Sequence, residues 1–530
     1  MRSRTWKLVR LVAPVGLIPL FACLAPPVES PKTTVTQETS VRVEQSVKNK
    51  VDLLFMIDNS PSMAPKQNEL VKRFPQLIKA LDTFAMQGSP ASYHIGVINS
   101  DLGAGPYTLN QGQCHPGGDG AKLQVTPAAG AQLPAGVSCT NFALAGGVRY
   151  IDYNQLTGTN NIMGEPDVAS AFSCMAAVGE AGCGFEHQLE ASYRALHDTI
   201  AENTGFLRSD AILAVVYVTD EDDCSAPANS DLFDPSTNGV NMYGTLHSFR
   251  CTQFGVQCNG QPVPPMSISN LTGCTSYDVS NGGKLTDLNT YINFFTKPAA
   301  QGGVKIDPND VILVAIDAAS DPVGVQITMP CADQVNTPSC PILNHSCVAA
   351  AAPMTFFGDP AVRINQVVNA ARHNNLTSIC DTDYTAAMTA LGQLIVSQIG
   401  AGCLNAPIAN RTVNGMQVPD CVVEDVTALP DGSTQTKEIP SCAENGHMIP
   451  CWEVIDKLAE YNMEGCTPTA PEPATCKLPP SCQPVTNPVD GTKQLVTVSI
   501  DRGTDSTGKP NTAPAGTTAN VSCATIASSM

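Results

Sequence analysis

Two short polar motifs follow apolar segments of the chain and carry oxygen atoms suited to binding a cation. Asp58-Asn59-Ser60-Pro61-Ser62 comes directly after a nearly continuous apolar run at 51–57, and Thr219-Asp220 comes after the apolar residues 211–218. Carboxylate and hydroxyl oxygens suit a hard cation such as Mg²⁺, which keeps several waters and uses only one or two carboxylates. The Asp-x-Ser-x-Ser pattern alone is weak, because these residues also suit a turn or a helix N-cap. Its place after an apolar strand adds weight, since open α/β sheets bind ligands where their strands end.

Apolar runs and helical periodicity alternate along residues 50–400. Continuous or short apolar runs predict strands at residues 51–57, 93–99, 149–153, 211–218, 311–316 and 377–380. Apolar residues at helical spacing predict helices at residues 66–81, 186–200, 285–295, 363–373 and 384–399. This alternation predicts an α/β fold, with a mostly parallel, Rossmann-like sheet and helices on both faces. Both polar motifs then lie at the carboxyl edge of the sheet.

The order of motifs and elements over residues 50–400 resembles a von Willebrand factor type A (VWA) domain. Asp58-x-Ser60-x-Ser62 is similar to the metal-ion-dependent adhesion site (MIDAS) of that family, and Asp220 is similar to its second metal-site aspartate. The resemblance implies that Ser60 and Ser62 bind the metal directly, and that Asp58 and Asp220 act directly or through water. Mg²⁺ is the expected ion, with Mn²⁺ and Ca²⁺ as alternatives. An Asp or Glu of a partner would complete the coordination shell.

One ligand implied by the resemblance is missing from the sequence. The family usually adds a threonine from the loop before its third helix, but the loop Gly182-Cys183-Gly184-Phe185-Glu186 contains no Thr or Ser. Either Glu186 or a water takes that place, and a Glu would weaken the attraction for a partner's carboxylate. The alternative is a degenerate site, in which Ser60 and Ser62 only cap a helix. In the acidic run 220–223 we expect the other carboxylates to be solvated, or to attract Ca²⁺ loosely.

The N-terminus has the parts of a secretory signal. Four basic residues precede an eleven-residue apolar run at 11–21, which is shorter than the roughly 20 residues of a transmembrane helix. The ending Leu20-Phe21-Ala22-Cys23 resembles the bacterial lipobox, which implies that residues 1–22 are removed and Cys23 is lipidated. The protein would then be anchored to the bacterial envelope, at the outer membrane or cell surface; an ordinary secretory signal with an incidental Cys23 is the alternative. Residues 23–49 contain many polar residues and prolines, and this composition predicts a flexible tether.

The cysteines also indicate export. Of 21 cysteines, one is Cys23, twelve lie between Cys114 and Cys380, and eight lie between Cys403 and Cys523. The even counts predict ten structural disulfides, none joining residues 50–400 to residues 403–530. We expect disulfides to staple the long Gly/Pro-rich insertions at 101–148, 224–283 and 318–360. The alternating run at 494–500 predicts that residues 403–530 form a small Cys-rich β module.

Charge and motif content narrow the function. The net charge is −19, and it becomes −23 when residues 1–22 and their four positive charges are removed. An acidic surface disfavours nucleic acid. No general-base histidine or nucleophile motif accompanies the polar motifs, so we expect no enzyme, and a metal-dependent hydrolase is the disfavoured alternative. The expected function is that of an envelope lipoprotein that binds a protein or matrix partner presenting an acidic group. A structural envelope protein with a degenerate metal site is the other alternative.

Overall fold

A computed structural model of the chain describes residues 41–43, 50–86, 91–109, 114–133, 137–155, 157–165, 167–329, 331, 339–349, 356–399, 403–404, 407–413, 415–428, 434–456, 458, 484–488, 490–503 and 517–526. The predicted signal, Cys23 and most of the predicted tether therefore lie outside the described residues. Within the described part, no helix is both long enough and apolar enough to cross a membrane.

The central sheet has seven strands. In chain order they are β1 (Lys50–Ile57), β2 (Ser92–Asn99), β3 (Ile151–Asn154), β4 (Thr159–Asn160), β5 (Ile212–Val218), β6 (Val311–Asp317) and β7 (His373–Ser378). The spatial order is β7-β6-β5-β1-β2-β3-β4, and the pairs from β7 to β2 are parallel. The β2–β3 and β3–β4 pairs are antiparallel. The prediction of a mostly parallel α/β sheet is confirmed, and β1 lies at its centre.

Helices cover both faces of this sheet. They are α1 (Ala64–Met86), α2 (Val168–Ala176), α3 (Gln188–His197), α4 (Leu288–Thr296), α5 (Val362–Ala370) and α6 (Thr385–Ile399). Leu53 and Phe55 of β1 belong to the core on the side of α1, α2 and α6, whereas Leu54 and Met56 belong to the core on the side of α3, α4 and α5. Successive side chains of a strand point to opposite faces, so a strand covered on both sides is apolar throughout.

Two predictions at the sheet edge differ from the structure. The helix predicted at 363–373 ends at Ala370, and the strand predicted at 377–380 instead spans His373–Ser378. This strand is at the end of the sheet and has no fully buried residue. An edge strand of this kind produces no apolar run, which is why sequence periodicity placed it wrongly.

Helix α2 was not predicted. Its start is fixed by Asp167, whose side chain accepts a hydrogen bond from the Ser170 backbone N–H. Phe172 of this helix is buried against the sheet. An aspartate at the N-cap position was the feature of the sequence that could have predicted this helix.

Eight disulfides lie in the described residues: Cys114–Cys183, Cys139–Cys174, Cys224–Cys251, Cys258–Cys274, Cys331–Cys340, Cys347–Cys380, Cys421–Cys523 and Cys442–Cys451. The first six use all twelve cysteines between Cys114 and Cys380. None of these twelve is left to pair with the C-terminal segment, so the predicted separation is confirmed. Each of the three long insertions supplies one or both cysteines of two of these bridges.

The insertions carry short elements of their own. Helices span Thr237–Tyr243 and Phe249–Gly255. Small antiparallel sheets are formed by Ala143–Leu144 with Ile162–Met163, by Gln261–Pro262, Val256–Cys258 and Cys274–Ser276, by Ile268–Leu271, Val323–Thr328 and Cys340–Asn344, and by Cys347–Val348 with Phe357–Gly358. The last pair, here called the 347–358 hairpin, lies over the candidate site described below.

The C-terminal segment is β-rich, as predicted. Its strands are Cys403–Leu404, Asn410–Val413, Met416–Pro419, Cys421–Ala428, Thr434–Ile439, Cys451–Asp456, Val485–Thr486, Lys493–Gln494, Val496–Asp501 and Thr517–Cys523, with a helix at Cys442–Asn445. Trp452 is buried in its apolar core. Val41–Val43 pairs with Thr517–Cys523, so these three residues of the predicted tether are part of a sheet.

Candidate metal-binding site

The Asp58 motif forms the turn between β1 and α1. The Asp58 backbone N–H donates to the Val218 carbonyl at the end of β5, over 3.0 Å, which fixes the turn to the neighbouring strand. One Asp58 carboxylate oxygen accepts the Ser60 N–H at 2.7 Å, and the other accepts the Thr219 hydroxyl at 2.7 Å. The Ser60 and Ser62 hydroxyl oxygens are 3.3 Å apart. These contacts place both hydroxyls beside the buried Asp58 carboxylate.

Asp220 follows β5 and lies at the same edge of the sheet. Its side chain is only 1% exposed, and its Oδ1 atom has no hydrogen-bond partner among the described residues. Burial raises the pKa of Asp220, whereas the charge of Lys66 and its hydrogen bond lower it. Asp58, Ser60, Ser62 and Asp220 are therefore brought together, as the sequence predicted for the carboxyl ends of β1 and β5.

Lys66, in the first turn of α1, is a site residue that was not predicted. Its ammonium lies 2.5 Å from Asp220 Oδ2 and 3.1 Å from the Ser62 carbonyl oxygen, and the side chain is fully buried. It also lies over the Phe357 ring, 4.0 Å from its centroid. Lys66 is four residues after Ser62, where a helix returns to the same face. That spacing was the only sequence signal, and it did not reveal that the lysine is buried.

Glu186 lies in the loop before α3, next to the Asp58 turn. The Gly182 N–H donates to the Asn59 carbonyl at 3.0 Å, and a Cβ atom on Gly182 would lie 2.2 Å from the Asn59 side-chain oxygen, so a larger residue would displace the Asn59 amide. Glu186 is 1% exposed, and its Oε1 atom has no hydrogen-bond partner in the described structure. The Glu221 carboxyl lines the same cavity as Glu186.

Part of the acidic run after β5 is not solvated, in contrast to the sequence expectation. The Asp222 carboxylate accepts the backbone N–H groups of Arg363 and Ile364 at the start of α5, at 3.0–3.2 Å. Asp223 accepts the Leu189 N–H at 3.0 Å and the Arg363 guanidinium at 3.1 Å. These two carboxylates hold α3 and α5 against the site, and they were missed because Arg363 is distant in sequence.

The 347–358 hairpin and its flanks cover the site from the third insertion. The Asp359 backbone N–H donates to the Asp220 carbonyl at 2.8 Å. The Asp359 carboxylate lies 2.6 Å from His345 Nδ1, and this hydrogen bond raises the pKa of His345. His345 also stacks on Phe357. An insertion thus supplies both a further carboxylate and the aromatic ring above Lys66.

The site holds more negative charge than its cationic side chains balance. Burial, followed by the charge of Asp220, raises the pKa of Asp58 to about 6. Burial and the charge of Glu221 raise the pKa of Glu186 well above its ordinary value, and burial and the charge of Asp359 do the same to Glu221. Carboxylates crowded in this way either take up protons or bind a cation. The donor set and the unpartnered Asp220 oxygen therefore fit a hard divalent ion.

Two other clusters of the described residues have the ligand types of a metal site. They are Cys442, His447 and Cys451, and Cys139, Glu165 and Cys174. Both cysteine pairs are disulfides. A metal site of this kind needs cysteine thiolates, so these clusters are structural.

Two solved structures similar to this chain are the von Willebrand factor type A protein from Catenulispora acidiphila and the pilus adhesin SpaC from Lactobacillus rhamnosus GG in its open conformation. The first shares 10% sequence identity over 91% of this chain and 59% of that chain, with a TM-score of 0.24. The second shares 11% identity over 91% of this chain and 44% of that chain, with a TM-score of 0.31. The chain thus spans less than two thirds of either protein. No protein-family model and no curated protein match the sequence.

Proposed function

We propose that residues 50–400 form a VWA-type binding domain that holds a divalent cation, Mg²⁺ first, and binds an acidic group of a protein or matrix partner. The ion would be held by Ser60, Ser62, Asp58 and Asp220. We also propose that lipidated Cys23 anchors the protein to the bacterial envelope. The domain would then be a recognition module and not an enzyme.

The observation that carries this proposal is the unpartnered, buried Oδ1 atom of Asp220 next to two serine hydroxyls. A buried carboxylate oxygen without a partner is costly unless a proton or a cation satisfies it. The Asp58 carboxylate also accepts a hydrogen bond from the Ser60 N–H, and this bond fixes the turn that carries both hydroxyls. Two carboxylates only neutralise a divalent ion and fill few of its six coordination positions, so a position remains open for a further acidic group.

One observation favours a second candidate, a structural envelope protein whose site needs no metal. Lys66 already supplies a positive charge to Asp220 at 2.5 Å. In that case the lysine is a permanent substitute for the ion, and Ser60 and Ser62 only shape the start of α1. The two candidates differ in their response to divalent ions, which a melting experiment measures directly.

The test uses the full chain after treatment with a chelator. Millimolar Mg²⁺ or Mn²⁺ should raise the melting temperature, since an ion at 100 times its dissociation constant stabilises the folded state by about 2.7 kcal/mol. Asp58→Ala should abolish the shift and Ser60→Ala should reduce it. Glu180→Ala is the matched control, because Glu180 is an exposed carboxylate near the same loop. Absence of any shift in the wild-type protein would favour the structural candidate.

Recognition of an acidic group needs a separate readout. With Mn²⁺ bound, acetate should lower the water-proton relaxation enhancement, because a carboxylate displaces water from the ion. Acetamide, which has the same shape and no charge, should have little effect. An equal response to both would argue against recognition of carboxylates at this ion.

A further inference from the structure

An acidic cavity lies beside the residues of the proposed function. Its empty space and the adjoining open solvent together measure about 330 Å³, and carboxylates supply half of its lining residues: Glu186, Glu221, Asp222, Asp223 and Asp359. Cys224 and Cys251 form part of the wall and are joined by a disulfide. Asp58, Ser60, Ser62 and Asp220 are not among its lining residues.

Three of the five carboxylates are already engaged by other groups of the protein. Asp222 accepts the N–H groups of Arg363 and Ile364, and Asp223 accepts the Leu189 N–H and the Arg363 guanidinium. These bonds fix the cavity between the starts of α3 and α5. Asp359 lies 2.6 Å from His345 Nδ1 through one of its oxygens, whereas none of the ion pairs within the described residues involves Glu186 or Glu221, which also line the cavity.

Glu186 is the observation that indicates a ligand. It is 1% exposed, yet its Oε1 atom has no hydrogen-bond partner in the described structure. Its neighbour in the cavity, Glu221, is also a carboxyl group and not a cation. A buried carboxylate oxygen without a donor is costly, and a second carboxylate beside it adds repulsion that a bound cation removes.

We propose that this cavity is a second divalent-cation site, selective for Ca²⁺, with Glu186, Glu221 and Asp359 as ligands. Ca²⁺ takes six to eight oxygens in flexible geometry and accepts several carboxylates, whereas Mg²⁺ needs a near-octahedral shell and keeps most of its waters. A cavity lined by Glu186, Glu221 and Asp359 offers several carboxylate oxygens to one ion, which suits Ca²⁺ better than Mg²⁺. Glu186 would then be a ligand of the second site. It would not take the place of the missing threonine ligand at the first site.

The bound Ca²⁺ would also connect the elements around the first site. Glu221 follows Asp220, Glu186 precedes α3, and the Asp359 N–H binds the Asp220 carbonyl. The ion would thus join the segment after β5, the loop before α3 and the third insertion through their own side chains. Extracellular Ca²⁺ modules bind with dissociation constants of about 10⁻⁴ to 10⁻³ M, and we expect this range.

The experiment counts bound ions by equilibrium dialysis of the chelator-treated full chain against CaCl₂, followed by elemental analysis. Glu186→Gln and Glu221→Gln should each raise the dissociation constant of one Ca²⁺ by at least about tenfold, since even partners of metal ligands are worth 10–100-fold in affinity. Asp359→Asn should act in the same direction. Glu180→Gln should leave binding unchanged. Circular dichroism should show all variants folded, because Gln and Asn preserve side-chain shape.

The outcome separates this site from the first one. If the Asp58→Ala variant still binds a Ca²⁺ that the Glu186→Gln variant loses, the second site is supported even if the first site binds no ion. If Asp58→Ala removes all binding, or if Glu186→Gln and Glu221→Gln bind Ca²⁺ as the wild type does, the second site is refuted. In the latter case the two carboxyls share a proton, and the Gln variants should be more stable than the wild type in chelator.

Discussion

Lys66→Met tests whether the buried lysine competes with a cation for Asp220. The Lys66 side chain is fully buried, as is that of Asp220, and 2.5 Å separates ammonium from carboxylate. Removing one partner of a buried ion pair costs about 3–5 kcal/mol, because the other charge is left uncompensated. In chelator, the variant should therefore lose about 3–5 kcal/mol of unfolding free energy. Methionine keeps most of the lysine's length, so the loss reports charge more than volume.

Divalent ions should reverse part of this loss. Without the ammonium, Mg²⁺ meets an uncompensated Asp220 carboxylate, so the variant should bind the ion more tightly than the wild type. The stabilisation by millimolar Mg²⁺ should then be larger in Lys66→Met than in the wild type. Lys72→Met is the matched control on the same helix, since Lys72 is 60% exposed and pairs with Glu69 at 3.3 Å. An exposed pair of this kind is worth about 0–1 kcal/mol.

The assay is chemical denaturation followed by far-ultraviolet circular dichroism, which reports the helices around the central sheet. Trp452 fluorescence serves as an internal reference, because this residue is buried in the C-terminal module and the other tryptophan is Trp6 of the predicted signal. If Lys66→Met and Lys72→Met unfold alike in chelator, the ion pair does not support the fold. If Mg²⁺ stabilises Lys66→Met no more than the wild type, Lys66 does not compete with the ion.

Three further predictions concern other parts of the chain. Cys23→Ser should move the protein expressed in bacteria from the detergent phase to the aqueous phase; an intact mass without lipid on the wild-type protein would contradict lipidation. Arg363→Met should cost about 3–5 kcal/mol in denaturation, and Arg363→Lys should recover little, because the buried guanidinium binds Asp223 and Asp278 together; full recovery with Lys would refute this. Burial raises the pKa of Asp317 well above its ordinary value, so its contribution to stability is lost as pH rises above about 4. Asp317→Asn should flatten that decline, and an unchanged pH profile would argue against it.

The sequence by itself determined the α/β core and the position of the main motifs. Residues 211–218 are apolar throughout and residues 51–57 are apolar except for Asp52, a pattern typical of strands covered on both faces, and these runs form β5 and β1. Because adjacent parallel strands end at the same edge, the motifs that follow them had to meet there. The even number of cysteines in each segment likewise predicted that no disulfide joins the two segments. It did not predict which cysteines pair within each segment.

Tertiary structure alone decided the charge balance of the site. Lys66 and Asp220 are 154 residues apart in the chain, and a lysine in the first turn of a helix is ordinarily solvated. The cavity of Glu186, Glu221 and Asp359 combines the loop before α3, the end of β5 and an insertion. Sequence periodicity reports which face of one segment is buried, whereas the partners of a buried charge depend on how distant loops meet. That is why the two serines and two aspartates were predicted and the lysine between them was not.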